Sequence, residues 1–212
     1  MWSDMEKGFQ VAFEAAWTSY CLKNIPIGAS VVNENGEIVA VGQNQIRAKG
    51  NGILSFHQLA HAEANAILQL SEVTEPNMHT NIRKYTLYTV MEPCPFCFGA
   101  IVMGSIRHLK FAARDGWAGA TKINESIDYI KMKGITIEGP FEELEFVQIA
   151  MQTCFEIERG QDVHSAVIEK LRLHCENGVL LGKKLAKDKI LDKFVKDSIP
   201  FSEVYNEIIN FR

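Results

Sequence analysis

Glu92-Pro93-Cys94-Pro95-Phe96-Cys97-Phe98-Gly99-Ala100-Ile101-Val102-Met103 reads as a turn that feeds a helix of small and apolar residues. A proline just inside a helix start costs nothing, because the first N–H groups have no intrahelical acceptor. Tyr85 to Val90 on one side and His108 to Ala113 on the other are rich in β-branched and aromatic residues, and both are expected strands. Further out, Ile123 to Met132 reads as a helix and Ile135 to Glu138 as a short strand. Glu142 to Glu158 is a strongly periodic helix carrying Leu144, Val147, Ile149, Met151, Cys154 and Phe155. This alternation of strands and helices predicts an α/β layered domain.

Upstream, Asn33-Glu34-Asn35-Gly36 separates Gly28 to Val32 from Glu37 to Val41, a strong hairpin signal. Met5, Phe9, Ala12, Phe13, Ala16, Trp17 and Tyr20 recur at helical spacing, so Asp4 to Leu22 reads as an amphipathic helix capped by Ser3 or Asp4. Gly42 to Ser55 is polar and reads as a long loop. A helix is expected from about Leu59 to Leu70, with Ala60, Ala64, Ile67 and Leu68 buried. After Gly160 the pattern is helical only: Val163 to Cys175, Leu180 to Val195 and Phe201 to Ile209, separated by Asn177-Gly178 and Ser198-Ile199-Pro200. The expected division is residues 1–160 as one domain and 161–212 as a helical extension.

The chain has 212 residues, 47% hydrophobic and 23% charged, with a net charge of −4. That is globular composition, which excludes disordered, collagenous and coiled-coil chains. Mild acidity speaks against a broad surface for nucleic acid or anionic lipid. No apolar run approaches the roughly 18 residues of a membrane span, and no signal peptide is visible, so a cytoplasmic protein without membrane contact is expected. Five cysteines, an odd count, do not form a disulfide framework. Cys21, Cys154 and Cys175 lie in apolar periodic contexts and read as buried thiols.

Cys94 and Cys97 are different, because His61-Ala62-Glu63 opens the preceding helix. Both motifs sit at helix N-termini, where the dipole favours thiolates and anionic groups. One imidazole and two thiolates suit zinc. Three protein ligands leave the fourth tetrahedral position for water, whose pKa then falls towards about 7. Glu63 is the candidate proton carrier. Helical periodicity alone would put positions 61 and 63 on opposite sides, so both must lie in the first turn and face the metal. A purely structural zinc site would need a fourth ligand, for which His57 is the nearest candidate. His79, His108, His164 and His174 have no partner pattern.

His61-Ala62-Glu63 with Pro93-Cys94-Pro95-Phe96-Cys97 resembles the H-x-E and P-C-x-x-C signature of the cytidine deaminase-like zinc hydrolases. The resemblance spans roughly residues 5 to 158 and is nearest to the branch of guanine, cytosine and tRNA adenosine deaminases. It implies a three-layer α/β/α sandwich around a five-stranded mixed sheet. It also implies one zinc per chain on His61, Cys94 and Cys97, catalysis by Glu63, and substrate contacts from Asn44 and the Ala62 backbone N–H. Members are commonly dimers, closed by the partner or by a C-terminal segment, so a homodimer is expected. The chain departs from the family in a longer loop between Asn44 and His61, and in His57-Gln58-Leu59 where Asp-Pro-Thr usually precedes the ligand. Trp117 and Phe96 are candidates for stacking on a base, and equally for packing. Lys183, Lys184, Lys187 and Lys189 are interrupted by Asp188 and Asp192 and read as a solvated face.

The expected function is hydrolytic removal of the exocyclic amino group of a nucleobase or small nucleoside. The net charge and the lack of an uninterrupted basic segment favour a small molecule over tRNA. The alternatives are tRNA adenosine deamination and a non-enzymatic, zinc-stabilised module that binds a nucleotide or a protein.

Overall fold

The computed structural model describes residues 1–48, 52–70 and 81–212. His79 and residues 49–51 of the long loop lie outside them. Five strands form one sheet in the order β2-β1-β3-β4-β5: β1 Gly28–Val32, β2 Ile38–Gln43, β3 Thr86–Met91, β4 His108–Ala113 and β5 Thr136–Glu138. β1 runs antiparallel to β2 and β3, whereas β3, β4 and β5 are parallel. The sheet is therefore mixed, as expected. β3 is central and almost wholly buried, which suits its run of Leu87, Tyr88, Thr89, Val90 and Met91. In the hairpin, Asn33 Oδ1 accepts from the backbone N–H of Asn35 and Glu37, and Gly36 takes φ +82°.

Helices α1 (Lys7–Cys21), α2 (Ala62–Gln69) and α3 (Pro95–Met103) are followed by α4 (Asp128–Lys131) and α5 (Glu142–Glu158). α2 and α3 cover one sheet face, burying Ala66, Phe98, Ile101 and Val102 with Leu87 and Leu109. α1 and α5 cover the other, burying Phe9, Phe13, Phe146, Val147 and Met151 with Val90 and Ala112. This is the α/β/α sandwich. The tail forms α6 (Ala166–Arg172), α7 (Glu176–Lys187), α8 (Ile190–Lys196) and α9 (Phe201–Asn210). Leu181, Leu185, Leu191, Phe201, Val204, Tyr205 and Ile208 complete the core begun by α1 and α5. Trp17 Nε1 donates to the Ile199 carbonyl at 3.1 Å, and the Phe13 and Phe201 rings stack at 5.5 Å.

Several expectations need correction. Neither Ser3 nor Asp4 caps α1: Trp2–Asp4 forms a short 3-10 turn, and Glu6 precedes the helix. Trp2 sets that turn by packing edge-on against Phe201 and Tyr205. The helix expected from Ile123 to Met132 divides into a 3-10 segment, Thr121–Glu125, and α4, because Ser126 Oγ bonds the Lys122 carbonyl and Ile127 is extended. Asn177-Gly178 does not separate helices but lies within α7. A Cβ on Gly178 would stand 3.1 Å from Ile149 Cβ, and one on Gly182 would stand 2.5 Å from Thr153 Cβ. These glycines let α7 lie directly on α5. The Leu180 to Val195 helix breaks at Lys189, which adopts φ +52°. Cys154 is buried as expected, but Cys21 and Cys175 are only half-buried.

Candidate metal centre and cavity

Two helix starts meet below the end of β3. His61 is the residue before α2, with φ −77° and ψ 154°, so its backbone is extended. Helical periodicity therefore begins only after it, and His61 and Glu63 can turn to the same side. Gly42 of β2 makes this possible: a Cβ there would meet the Ala62 carbonyl at 2.0 Å, so only glycine allows the strand so close to this turn. Cys94 stands at the same position before α3, followed by Pro95, and Cys97 lies in the first turn.

His61 Nδ1 is 3.6 Å from Cys94 Sγ and 3.4 Å from Cys97 Sγ. The three donor atoms all lie within 4.8 Å of one another. A tetrahedral zinc with ordinary Zn–S and Zn–N bonds requires a nitrogen–sulfur separation of about 3.6 Å. The donor set and its spacing thus fit one zinc per chain. The His61 ring also hydrogen-bonds the Gln58 backbone, a contact of the type that fixes a ligand ring's orientation. His57 is exposed, and its Nδ1 accepts from the Leu59 N–H at 3.0 Å, so it is not drawn into the cluster.

The Glu63 carboxyl is buried at 4% exposure. Cys97 Sγ donates to its Oε2 at 3.2 Å, and Thr89 Oγ1 approaches its Oε1 at 3.3 Å. Burial pushes the Glu63 carboxyl up from its ordinary range. Its contact with Cys97 lowers the Cys94 thiol to about 4 against the opposing effect of burial, with His61 adding to the fall. The Cys97 thiol moves upward beside Cys94, with burial and the Glu63 carboxyl adding to the rise. The hydrogen bond to Cys94 raises His61.

Above the cluster opens a cavity of about 250 Å³, lined by Asn44, His61, Glu63 and Cys94 together with Met91, Glu92, Asp115 and Trp117. Asn44 is buried, with Oδ1 3.3 Å from the Ile46 N–H. Ala62 is fully buried and is not among the lining residues. Trp117 lines the cavity and is exposed, whereas Phe96 packs its ring edge-on to His61 at 5.6 Å. Glu92 ties down the loop after β4, accepting from Thr121 Oγ1 at 2.5 Å and from the N–H groups of Asp115 and Thr121. Asp115 Oδ1 accepts from the N–H of Trp117 and Ala118, while burial raises its carboxyl.

Sequence reasoning missed the other side of this cavity: Gln152, Glu156 and Arg159 of α5 and its end, and Val167 and Leu171 of α6. A signal for it existed. Glu145, Gln148, Gln152, Glu156 and Arg159 recur at helical spacing along α5 and its end, the first four of them buried.

A mixed sheet between helical layers, with an imidazole, two thiols and a buried carboxyl at two helix starts, defines a zinc-hydrolase type of site. Residues 3–113, just over half of the chain, match the cytidine and deoxycytidylate deaminase zinc-binding region, and the chain belongs to that family within the cytidine deaminase-like superfamily. It is 33% identical over 115 residues to a tRNA-specific adenosine deaminase of Haemophilus influenzae, a match covering 54% of this chain and 61% of that protein. A guanine deaminase of Bacillus subtilis is 30% identical over 128 residues, covering 59% and 72%. The match thus spans less than two thirds of the Haemophilus relative. The fold is also that of a solved guanine deaminase from Nitrosomonas europaea, at a TM-score of 0.55 and 20% identity, over 72% of this chain and 84% of that one. Among the described residues, no helix is long and apolar enough to cross a membrane.

Proposed function

We propose that this protein is a zinc-dependent hydrolytic deaminase that replaces the exocyclic amino group of a nucleobase or small nucleoside with oxygen and releases ammonia. The observation that carries the reading is the buried Glu63 carboxyl, 3.2 Å from Cys97 on the cavity floor. A structural zinc site has no use for such a carboxyl. His61, Cys94 and Cys97 hold the metal, which when bound supplies the Lewis acidity that lets water attack at neutral pH. Glu63 takes a proton from the attacking water and delivers it to the ring nitrogen beside the reacting carbon. It then carries the second proton to the leaving amine, as the carbon–nitrogen bond breaks and the carbonyl forms. Its upward-shifted pKa suits this two-way traffic. Asn44 orients the base from the wall, and the N–H of Ala62, first residue of α2, is a further candidate donor.

Residues 1–160 form the catalytic unit in this reading. Residues 161–212 form an extension that closes the cavity, supported by the places of Val167 and Leu171 on its wall. The enzyme is a homodimer, supported by exposed Met103, Ile127, Tyr129 and Met132, with Tyr129 and Met103 in contact. Five unpaired thiols accord with a cytoplasmic location. The second reading, tRNA adenosine deamination, draws on the named function of the Haemophilus relative. Ammonia release from cytosine, guanine, adenine, their nucleosides and an adenosine-containing anticodon stem separates the two. Turnover of a small molecule that disappears in Glu63→Ala while zinc stays bound is the expected result. A Glu63→Ala enzyme that still turns over removes the mechanism.

A further inference from the structure

We infer that a second cavity, beside the metal cavity, binds a small phosphate-bearing molecule held by Arg47 and Lys189. The inference goes beyond the deaminase reading and stands without it. This cavity measures about 550 Å³, room for a small organic ligand. Phe155, Ile157 and Ala186 supply an apolar lining. With them stand four cations, Lys23, Arg47, Arg159 and Lys189, against two carboxylates, Glu158 and Asp192.

Most of these charges are already committed. Lys23 Nζ is 3.2 Å from Asp192 Oδ1. Glu158 Oε2 accepts from the Tyr20 hydroxyl at 2.5 Å. Arg159 donates to Glu156, on the wall of the metal cavity. Arg47 and Lys189 have no carboxylate partner among the described residues. The Arg47 guanidinium carbon lies 6.0 Å from the centroid of the Phe155 ring, which puts the charged group itself on the cavity lining. Arg47 and Lys189 are both exposed, so a ligand can reach them.

The backbone supplies a second, independent observation. Lys23 at φ +61° and Lys189 at φ +52° are two of the five described non-glycine residues with positive φ, and both line this cavity. A lysine is strained there, whereas glycine fills such positions after a helix without that cost. The helix dipole accounts for a cation near each helix end. It does not account for two strained lysines, one after α1 and one after α7, on a single cavity. Backbone strain of this kind gathers at ligand sites.

Charge selects the ligand. The metal cavity is lined by the carboxyl groups of Glu63, Glu92, Asp115 and Glu156, and Arg159 is the only lysine or arginine among its described lining residues. A phosphate is repelled there. The second cavity shares Arg159 and carries the opposite balance. A phosphate monoester brings about two negative charges and three acceptor oxygens. A guanidinium fork matches two of those oxygens, and the apolar lining takes the body of the molecule.

The test is calorimetric titration of the zinc-loaded protein with phenyl phosphate, inorganic phosphate, phenol, benzoate and a short RNA stem. Phenyl phosphate has no amino group to lose, so turnover does not complicate the measurement. It should bind once per chain, at least about tenfold more tightly than phenol or benzoate, and more weakly as salt is raised. Arg47→Gln and Lys189→Gly should each weaken it at least about tenfold, with zinc content unchanged, while Lys189→Arg retains it. Lys189→Gly relieves the positive φ, so its thermal midpoint should stand no lower than that of wild type, and lost binding then reports lost charge rather than lost fold. No binding of either phosphate, binding that survives both charge-removing variants, or benzoate held as tightly as phenyl phosphate would each overturn the inference. So would an RNA stem that binds where phenyl phosphate does not.

Discussion

The cavity has two walls with different origins. The metal wall comes from two short stretches, residues 61–63 and 94–97, each at the start of a helix. Its chemistry is nearly complete within them. The facing wall comes from α5 and α6, with one polar residue per helical turn supplied by a segment otherwise devoted to packing. The first wall is compact in sequence because helix N-termini supply geometry and field locally. The second exists only once α5 is clamped between the sheet and α7 through Gly178 and Gly182. The metal wall is thus written locally, and the facing wall in long-range packing.

That comparison can be broken at its strongest point first. Cys97→Ala removes a thiolate donor and should abolish stoichiometric zinc, measured by elemental analysis, and all turnover with it. Substitutions on the facing wall should leave the metal in place. Next comes acidity. In zinc-stripped protein, the Cys94 thiol, lowered to about 4 from its ordinary 9.0, should be fully thiolate at pH 6 and lose that charge only as the pH drops through 4. Alkylation at pH 6 should label Cys94, spare Cys154, whose buried thiol is pushed upward, and be blocked by zinc. Mass spectrometry of the labelled peptides checks this.

A smaller effect sharpens the packing half. Gly182→Val forces a side chain into Thr153 and the Ala150 carbonyl, and overpacking of this kind costs about 1–3 kcal/mol. Thermal unfolding should shift down by several degrees, with zinc content retained. The smallest effect is Lys84→Ala. Its pair with Glu34, at 3.3 Å, is exposed on both sides, and the change should leave the midpoint of a denaturant titration almost where it was.

What could be read in advance follows the same division. The strands, α5 and the ligand triad were legible because period, turn residues and donor spacing are local properties. The geometry of His61 and Glu63 was not, since helical spacing argued against it until the extended backbone of His61 placed it ahead of the helix. Gly178 misled because a glycine that permits close contact and one that ends a helix look the same without the neighbouring Ile149. Ser3 and Asp4 looked like caps until the Trp2 ring, drawn to Phe201 and Tyr205 at the far end of the chain, set the turn before α1. Gln152 went unnoticed because its place on the cavity wall depends on how α5 packs against the sheet and α7.

A catalytic zinc site with three protein donors keeps its fourth position for water. X-ray absorption of the zinc-loaded protein tests it most directly. The expected result is one zinc per chain with two sulfur neighbours at about 2.3 Å, one imidazole nitrogen, and one further light atom that an added anion displaces. A fourth protein donor on the metal, imidazole or thiolate, would contradict it.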